Sequence, residues 1–129
     1  MSDKLKIMVI DDEEIVGKRL KPALEKSGDI IESFVNSKKA LIRLAEQHFD
    51  IVITDIRMDE IDGLEVLDYI KSRSKNTKVI MITGYATVEV AREALAKGAF
   101  DFIAKPFKPE DLRIIINKAV KELNAEQMT

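Results

Sequence analysis

The segment "VIDDEE", Val9 to Glu14, runs an apolar stretch into four consecutive carboxylates, and other reactive side chains stand in comparable places. Asp55 follows "IVIT", Thr83 follows "VIMI" and Lys105 follows "FDFIA". Two carboxylates about 4 Å apart, at an effective dielectric of about 20, repel each other by about 4 kcal/mol, and a third adds to the cost. Either one acid takes up a proton or a cation compensates, and hard oxygen ligands with places left for water and phosphate suit Mg2+. A hydroxyl and an ammonium beside such a cation would complete a site for a phosphoryl group.

Taken singly, each residue has a plainer reading. Asp11 or Asp12 could cap a helix, and Glu13 and Glu14 fall where acids interact favourably with a helix dipole, which is the role expected of them. Thr commonly ends strands and Lys is usually solvated. His48, the only histidine, stands at an expected helix end with no partner ligand near it in sequence, and reads as a surface residue. What separates Asp11, Asp12, Asp55, Thr83 and Lys105 from this background is that each directly follows a strand-like run.

The elements that would position them alternate along the chain. Short apolar runs rich in β-branched residues predict strands at Lys6 to Ile10, Ile30 to Val35, Ile51 to Thr54, Lys78 to Ile82 and Phe102 to Ala104. Apolar residues recurring every three or four positions predict helices over Glu13 to Lys26, Ser37 to Gln47, Asp62 to Ser72, Ala86 to Lys97 and Pro109 to Asn124. Gly28 and Gly98 stand where helices should stop, and Pro109 where a first turn tolerates proline. Pro22 is expected to kink or interrupt the first helix. "IMVI", "IVIT" and "VIMI" are apolar on both faces, as in the middle of a parallel sheet, whereas the second and fifth strands read as edges. Five β-α units with short connections predict one doubly wound α/β domain, with function gathered beyond the carboxyl ends of the strands.

Composition narrows the function classes. The chain has 129 residues, with 46% hydrophobic and 34% charged, as expected of one soluble domain. It has no cysteine, which excludes disulfides and thiolate chemistry, and no apolar run approaches a membrane span. "MSDKLKIM" does not read as a signal peptide, so a cytoplasmic home is the default. A net charge of −2 and a pI near 5.5 argue against a nucleic-acid footprint or a membrane partner. The one basic run, "KSRSKNTK" from Lys71 to Lys78, reads as a solvated connection.

Together "VIDDEE", "ITDIRMDEIDG", "MITGYA" and "GAFDFIAKPF" resemble the receiver domain of two-component response regulators, over nearly the whole chain. The resemblance implies a flavodoxin-like five-stranded sheet in the order 2-1-3-4-5, an order carried over from the family's chemotaxis regulator. It implies a receiver domain over residues 1–124, with 125–129 a frayed tail or the start of a linker. Asp55 would be the phosphoryl acceptor, a carboxylate nucleophile toward a phosphohistidine on a sensor histidine kinase or phosphotransfer protein. Asp12 would bind Mg2+ directly and Asp11 through water, with Asp55 and the backbone carbonyl of Arg57 as further ligands. Thr83 and Lys105 would close onto the phosphoryl oxygens. Phe102 would be the aromatic switch, so that the face formed by the fourth helix, fifth strand and fifth helix changes and meets a downstream protein or a second copy. Such a protein is a signalling switch rather than an enzyme in the usual sense, although it promotes its own phosphorylation and dephosphorylation. In relatives the bond corresponding to Lys105–Pro106 is cis. "TGYATVEVAREALAKGAFDFIAKPF" is most similar to receivers attached to enhancer-binding transcription activators.

Some residues depart from the family pattern. Asp59 stands where Pro commonly follows the Met after the acceptor, and Glu60 adds a second acid. Phe102 replaces a common Tyr and lacks its hydroxyl. Tyr85 and Arg57, at positions flanking the path of an attacking water, predict a long-lived phosphorylated form. An alternative is a Mg-dependent aspartate-nucleophile phosphatase, but "DDEEI" does not match the DxDx(T/V) pattern of such enzymes. A nucleotide or flavin binder would need a glycine-rich first turn that is missing here. Within these 129 residues no recognisable DNA-binding or catalytic effector region follows the expected fifth helix, which fits either a stand-alone receiver or a piece of a longer protein.

Overall fold

The computed structural model describes residues 4–58, 60–84 and 88–127. Five strands, β1 (Lys6–Ile10), β2 (Ile30–Phe34), β3 (Ile51–Asp55), β4 (Lys78–Thr83) and β5 (Asp101–Ala104), pair in parallel in the order β2-β1-β3-β4-β5. Between and after them run α1 (Glu14–Glu25), α2 (Ser37–Glu46), α3 (Gly63–Arg73), α4 (Val88–Ala96) and α5 (Pro109–Gln127). The doubly wound fold expected from the alternation is present, and element ends shift by only a few residues.

Strand side chains point to alternate faces, and each face is covered by helices. Ile7, Val9, Ile51, Ile53, Ile80 and Ile82 pack with Leu20 and Leu24 of α1 and Leu112 and Ile116 of α5. Met8, Ile10, Val52, Val79 and Met81 face the other way, toward Ala40 of α2, Val66 and Ile70 of α3 and Ala94 of α4. This double burial is why β1, β3 and β4 are apolar without alternation, while β2 and β5 at the edges are only partly buried.

The structure bears on three further expectations. Pro22 lies inside α1, which is not interrupted there but continues past it as one element. The lost bond is tolerable because Pro22 lies on the exposed side of the helix, while Leu20 and Leu24 on either side anchor it in the core. Of the expected tail 125–129, residues 125–127 continue α5 to Gln127, with Glu126 2.5 Å from Lys78, and 128–129 lie outside the described residues. The run Lys71 to Lys78 is not a solvated connection throughout. The Lys78 side chain is 8% exposed and lies between Glu122 and Glu126, and Lys71 donates to the Thr77 carbonyl at 3.1 Å. Burial, with the charge of Lys78 adding to it, pushes Lys71 below its usual range.

Candidate phosphoryl and metal site

The carboxyl ends of β1, β3, β4 and β5 place the reactive residues at one edge of the sheet. Asp55 is the last residue of β3, and Asp11 and Asp12 directly follow β1. Ile10 and Thr54 are register partners, so the two acidic ends lie side by side. Asp11, Asp12 and Asp55 each offer a carboxylate oxygen within 4.8 Å of the others. Asp11 and Asp55 are buried, and Asp12 opens to solvent. Thr83 ends β4 beside Ala104 of β5, and its carbonyl accepts the Lys105 N–H at 2.8 Å. Lys105 therefore leaves the sheet next to Thr83, and the Lys105–Pro106 bond is cis, as the family pattern implies.

The ammonium of Lys105 lies 2.7 Å from Asp55 Oδ2, 2.8 Å from Asp11 Oδ2 and 2.7 Å from Glu13 Oε1. Asp55 and Glu13 accept its hydrogen bonds. Buried Asp11 Oδ2 is the third carboxylate oxygen against the same nitrogen. Burial alone would lower the Lys105 pKa, but Asp11, Asp55 and Glu13 outweigh it and hold the ammonium above its usual range. Burial pushes the Asp11 carboxyl up, with the charge of Asp55 acting in the same direction, against the pull of Lys105 and the Glu13 N–H. Glu13 moves the other way, lowered by its bond to Lys105.

Backbone geometry fixes these groups. Asp11 Oδ1 accepts the Glu13 N–H at 2.8 Å, and Asp55 Oδ1 accepts the Arg57 N–H at 3.1 Å. Neither Asp11 nor Asp12 caps α1: the N-cap is Glu13, without a side-chain capping bond. The α3 start is capped reciprocally by Asp62 and Glu65, and Gly63 is pressed against the end of β3. A Cβ on Gly63 would lie 2.1 Å from the Asp55 carbonyl oxygen.

Three hard carboxylate oxygens gathered within 4.8 Å of one another, that of Asp12 open to solvent, fit a divalent cation such as Mg2+. Asp11, Asp12, Asp55 and Lys105 thus lie together, and Thr83 ends β4 next to the strand from which Lys105 departs. Arg57 reaches the site through its N–H on Asp55. Phe102 is half-buried against the face that carries α2, α3 and α4. Glu13 stands at the helix start as expected, as the N-cap of α1, and also bonds Lys105; Glu14 begins α1 and pairs with Lys18 at 2.9 Å. His48 is exposed, with Asp50 3.7 Å away. Asp59 and Tyr85 lie outside the described residues. Glu60 adopts a left-handed φ of 66° and pairs with Lys38 at 3.4 Å.

A doubly wound sheet that carries three acids and a lysine at its carboxyl edge defines a class of α/β domains with an acidic site at the strand ends. Within that class, residues 7–117 match the family model of the response regulator receiver domain. The chain belongs to this family. It is 40% identical over 116 residues to the regulatory protein AtoC of Escherichia coli, covering 90% of this chain and 25% of that protein. It is 36% identical over 112 residues to the C4-dicarboxylate transport transcriptional regulatory protein DctD of Rhizobium meliloti, covering 87% and 24%. The chain therefore spans about a quarter of the length of these relatives. Among solved structures it is similar to a CheY-like receiver domain from Methanospirillum hungatei, with a TM-score of 0.89, 30% identity and coverage of 96% and 99%. It is also similar to the beryllofluoride-activated NtrC4 receiver domain dimer, with a TM-score of 0.86, 33% identity and coverage of 92% and 98%. Among the described residues no helix is long and apolar enough to cross a membrane.

Proposed function

We propose that this domain is a phosphoacceptor switch in which Asp55 takes a phosphoryl group from a phosphohistidine on a sensor histidine kinase or phosphotransfer protein. The observation that carries this reading is the Lys105 ammonium seated between Asp55 and Asp11, beside the exposed Asp12. An Asp55 carboxylate oxygen forms a bond to phosphorus as the phosphorus–nitrogen bond breaks, and the bonding pair returns to the imidazole. Phosphoryl transfer asks mainly for in-line placement and charge neutralisation, and Lys105 and Thr83 stand where they can contact the transferred oxygens. Asp11, Asp12, Asp55 and the Arg57 carbonyl would hold Mg2+, which supplies neutralisation of the phosphoryl charge when bound.

The output is a change at the face formed by α4, β5 and α5, where Thr83 moves toward the phosphoryl group and Phe102 turns into the space released. Exposed apolar Val88 and Leu95 on α4 and Ile114 on α5 make that face suited to a protein partner or a second copy. The relatives named as transcriptional regulators make an attached output region the natural context. The test is amide chemical-shift mapping before and after phosphorylation, with small phosphate esters assayed in parallel. Shifts at α4, β5 and α5 and no turnover beyond one equivalent are expected. Sustained ester hydrolysis without those shifts would favour a phosphatase.

A further inference from the structure

We propose that Glu13 is a positioning residue that competes with the phosphoryl group for Lys105, and so limits how tightly the site holds the modified state. The inference rests on the phosphoacceptor reading of Asp55. Its basis is the division of hydrogen bonds around one ammonium. Lys105 has three donors. Asp55 Oδ2 and Glu13 Oε1 accept hydrogen bonds at 2.7 Å, and a third carboxylate oxygen, buried Asp11 Oδ2, lies 2.8 Å from the same nitrogen. Three carboxylate oxygens thus already occupy the three donors, so a phosphoryl oxygen must displace one, and only Glu13, 61% accessible, belongs to an exposed side chain.

Glu13 can do this because it occupies the N-cap of α1 in extended backbone, φ −83° and ψ 104°, with no capping bond of its own. When Asp55 becomes an acyl phosphate its carboxylate loses charge, and the ammonium's natural acceptors become the phosphoryl oxygens. Glu13 opposes the change twice: it must give up its hydrogen bond to Lys105, and its negative charge repels the incoming anion. Both effects favour the unmodified state, and Glu13 is the partner of Lys105 most easily released to water.

The probe is beryllofluoride with Mg2+, a phosphoryl stand-in, titrated by fluorine NMR against the unmodified sequence, Glu13→Gln, Glu13→Asp and, as a surface control, Glu14→Gln. Glu13→Gln should bind the probe about two- to fivefold more tightly, the scale of an exposed ion pair, while its affinity for Mg2+ alone does not rise. Glu13→Asp should fall between the two, and Glu14→Gln should match the unmodified sequence. Unchanged or weaker probe binding in Glu13→Gln would overturn the inference, as would an equal gain in Glu14→Gln. A gain matched by Mg2+ affinity would also overturn it, because it would reflect metal binding rather than competition for Lys105. An unmodified chain that takes up no probe at Asp55 would overturn the phosphoacceptor reading itself, a result distinguishable from uptake that ignores Glu13.

Discussion

Lys105 is the only cation placed among the site's carboxylates by the described contacts, and its removal has opposite effects on folding and on metal binding. In Lys105→Met, Asp11 and Asp55 remain buried without a counter-charge, so metal-free stability should fall by about 1–2 kcal/mol. That is less than for a fully buried pair, because the lysine is 17% exposed. The same change removes a competitor for the acids, so Mg2+ should bind more tightly and recover much of the lost stability. Thermal unfolding with and without Mg2+ checks both signs. Glu32 offers a pH test away from the site. Arg43 grips it through two bonds of 2.8 and 2.9 Å and holds its carboxyl below the usual range. A depressed pKa gives stability that is present above the ordinary glutamate range and lost as pH falls through the lowered value. Glu32→Gln should therefore cost about 0.5–1 kcal/mol near neutrality, and the difference should shrink on acidification in denaturant titrations. Asp11, Asp12, Asp55, Thr83 and Lys105 were legible because each follows an apolar run. The contact of Glu13 with Lys105 was not, since it joins residues 92 positions apart through the spacing of β1 and β5, which local sequence does not encode.

At the level of elements, the approach of α3 to β3 governs how Asp55 is presented. With a Cβ 2.1 Å from the Asp55 carbonyl oxygen, Gly63→Ala must move backbone rather than a flexible side chain. It should destabilise the fold by about 2 kcal/mol and slow modification of Asp55, because the acceptor strand shifts with the helix. Denaturant midpoints and the rate of phosphorylation measure the two effects. Central strands were the easiest elements to read, because burial on both faces leaves them uniformly apolar. Pro22 does not interrupt α1; propensity weighs a missing bond without the residue's exposure and the anchoring of the helix by Leu20 and Leu24. Lys78 was misread because a lysine ending a basic run looks solvated until α5 brings Glu122 and Glu126 over it.

At the scale of the whole molecule, two apolar layers lock the sheet between helices, and the reactive residues all project from one edge. Periodicity revealed the alternation of strands and helices, whereas the order β2-β1-β3-β4-β5 came from family resemblance, since strand pairing depends on tertiary packing. The last turns of α5 lie at the opposite end of the sheet, tied to β4 by Lys78, so the site and the end of the last helix are joined through the sheet and its packed layers. The central claim is that this scaffold presents Asp55 as the phosphoryl acceptor. Its most direct test is intact-mass and peptide mapping after incubation with acetyl phosphate and Mg2+, on the unmodified sequence and on Asp55→Asn. The account predicts one added phosphoryl group mapped to Asp55, dependent on Mg2+ and absent from Asp55→Asn; equal modification of Asp55→Asn would contradict it.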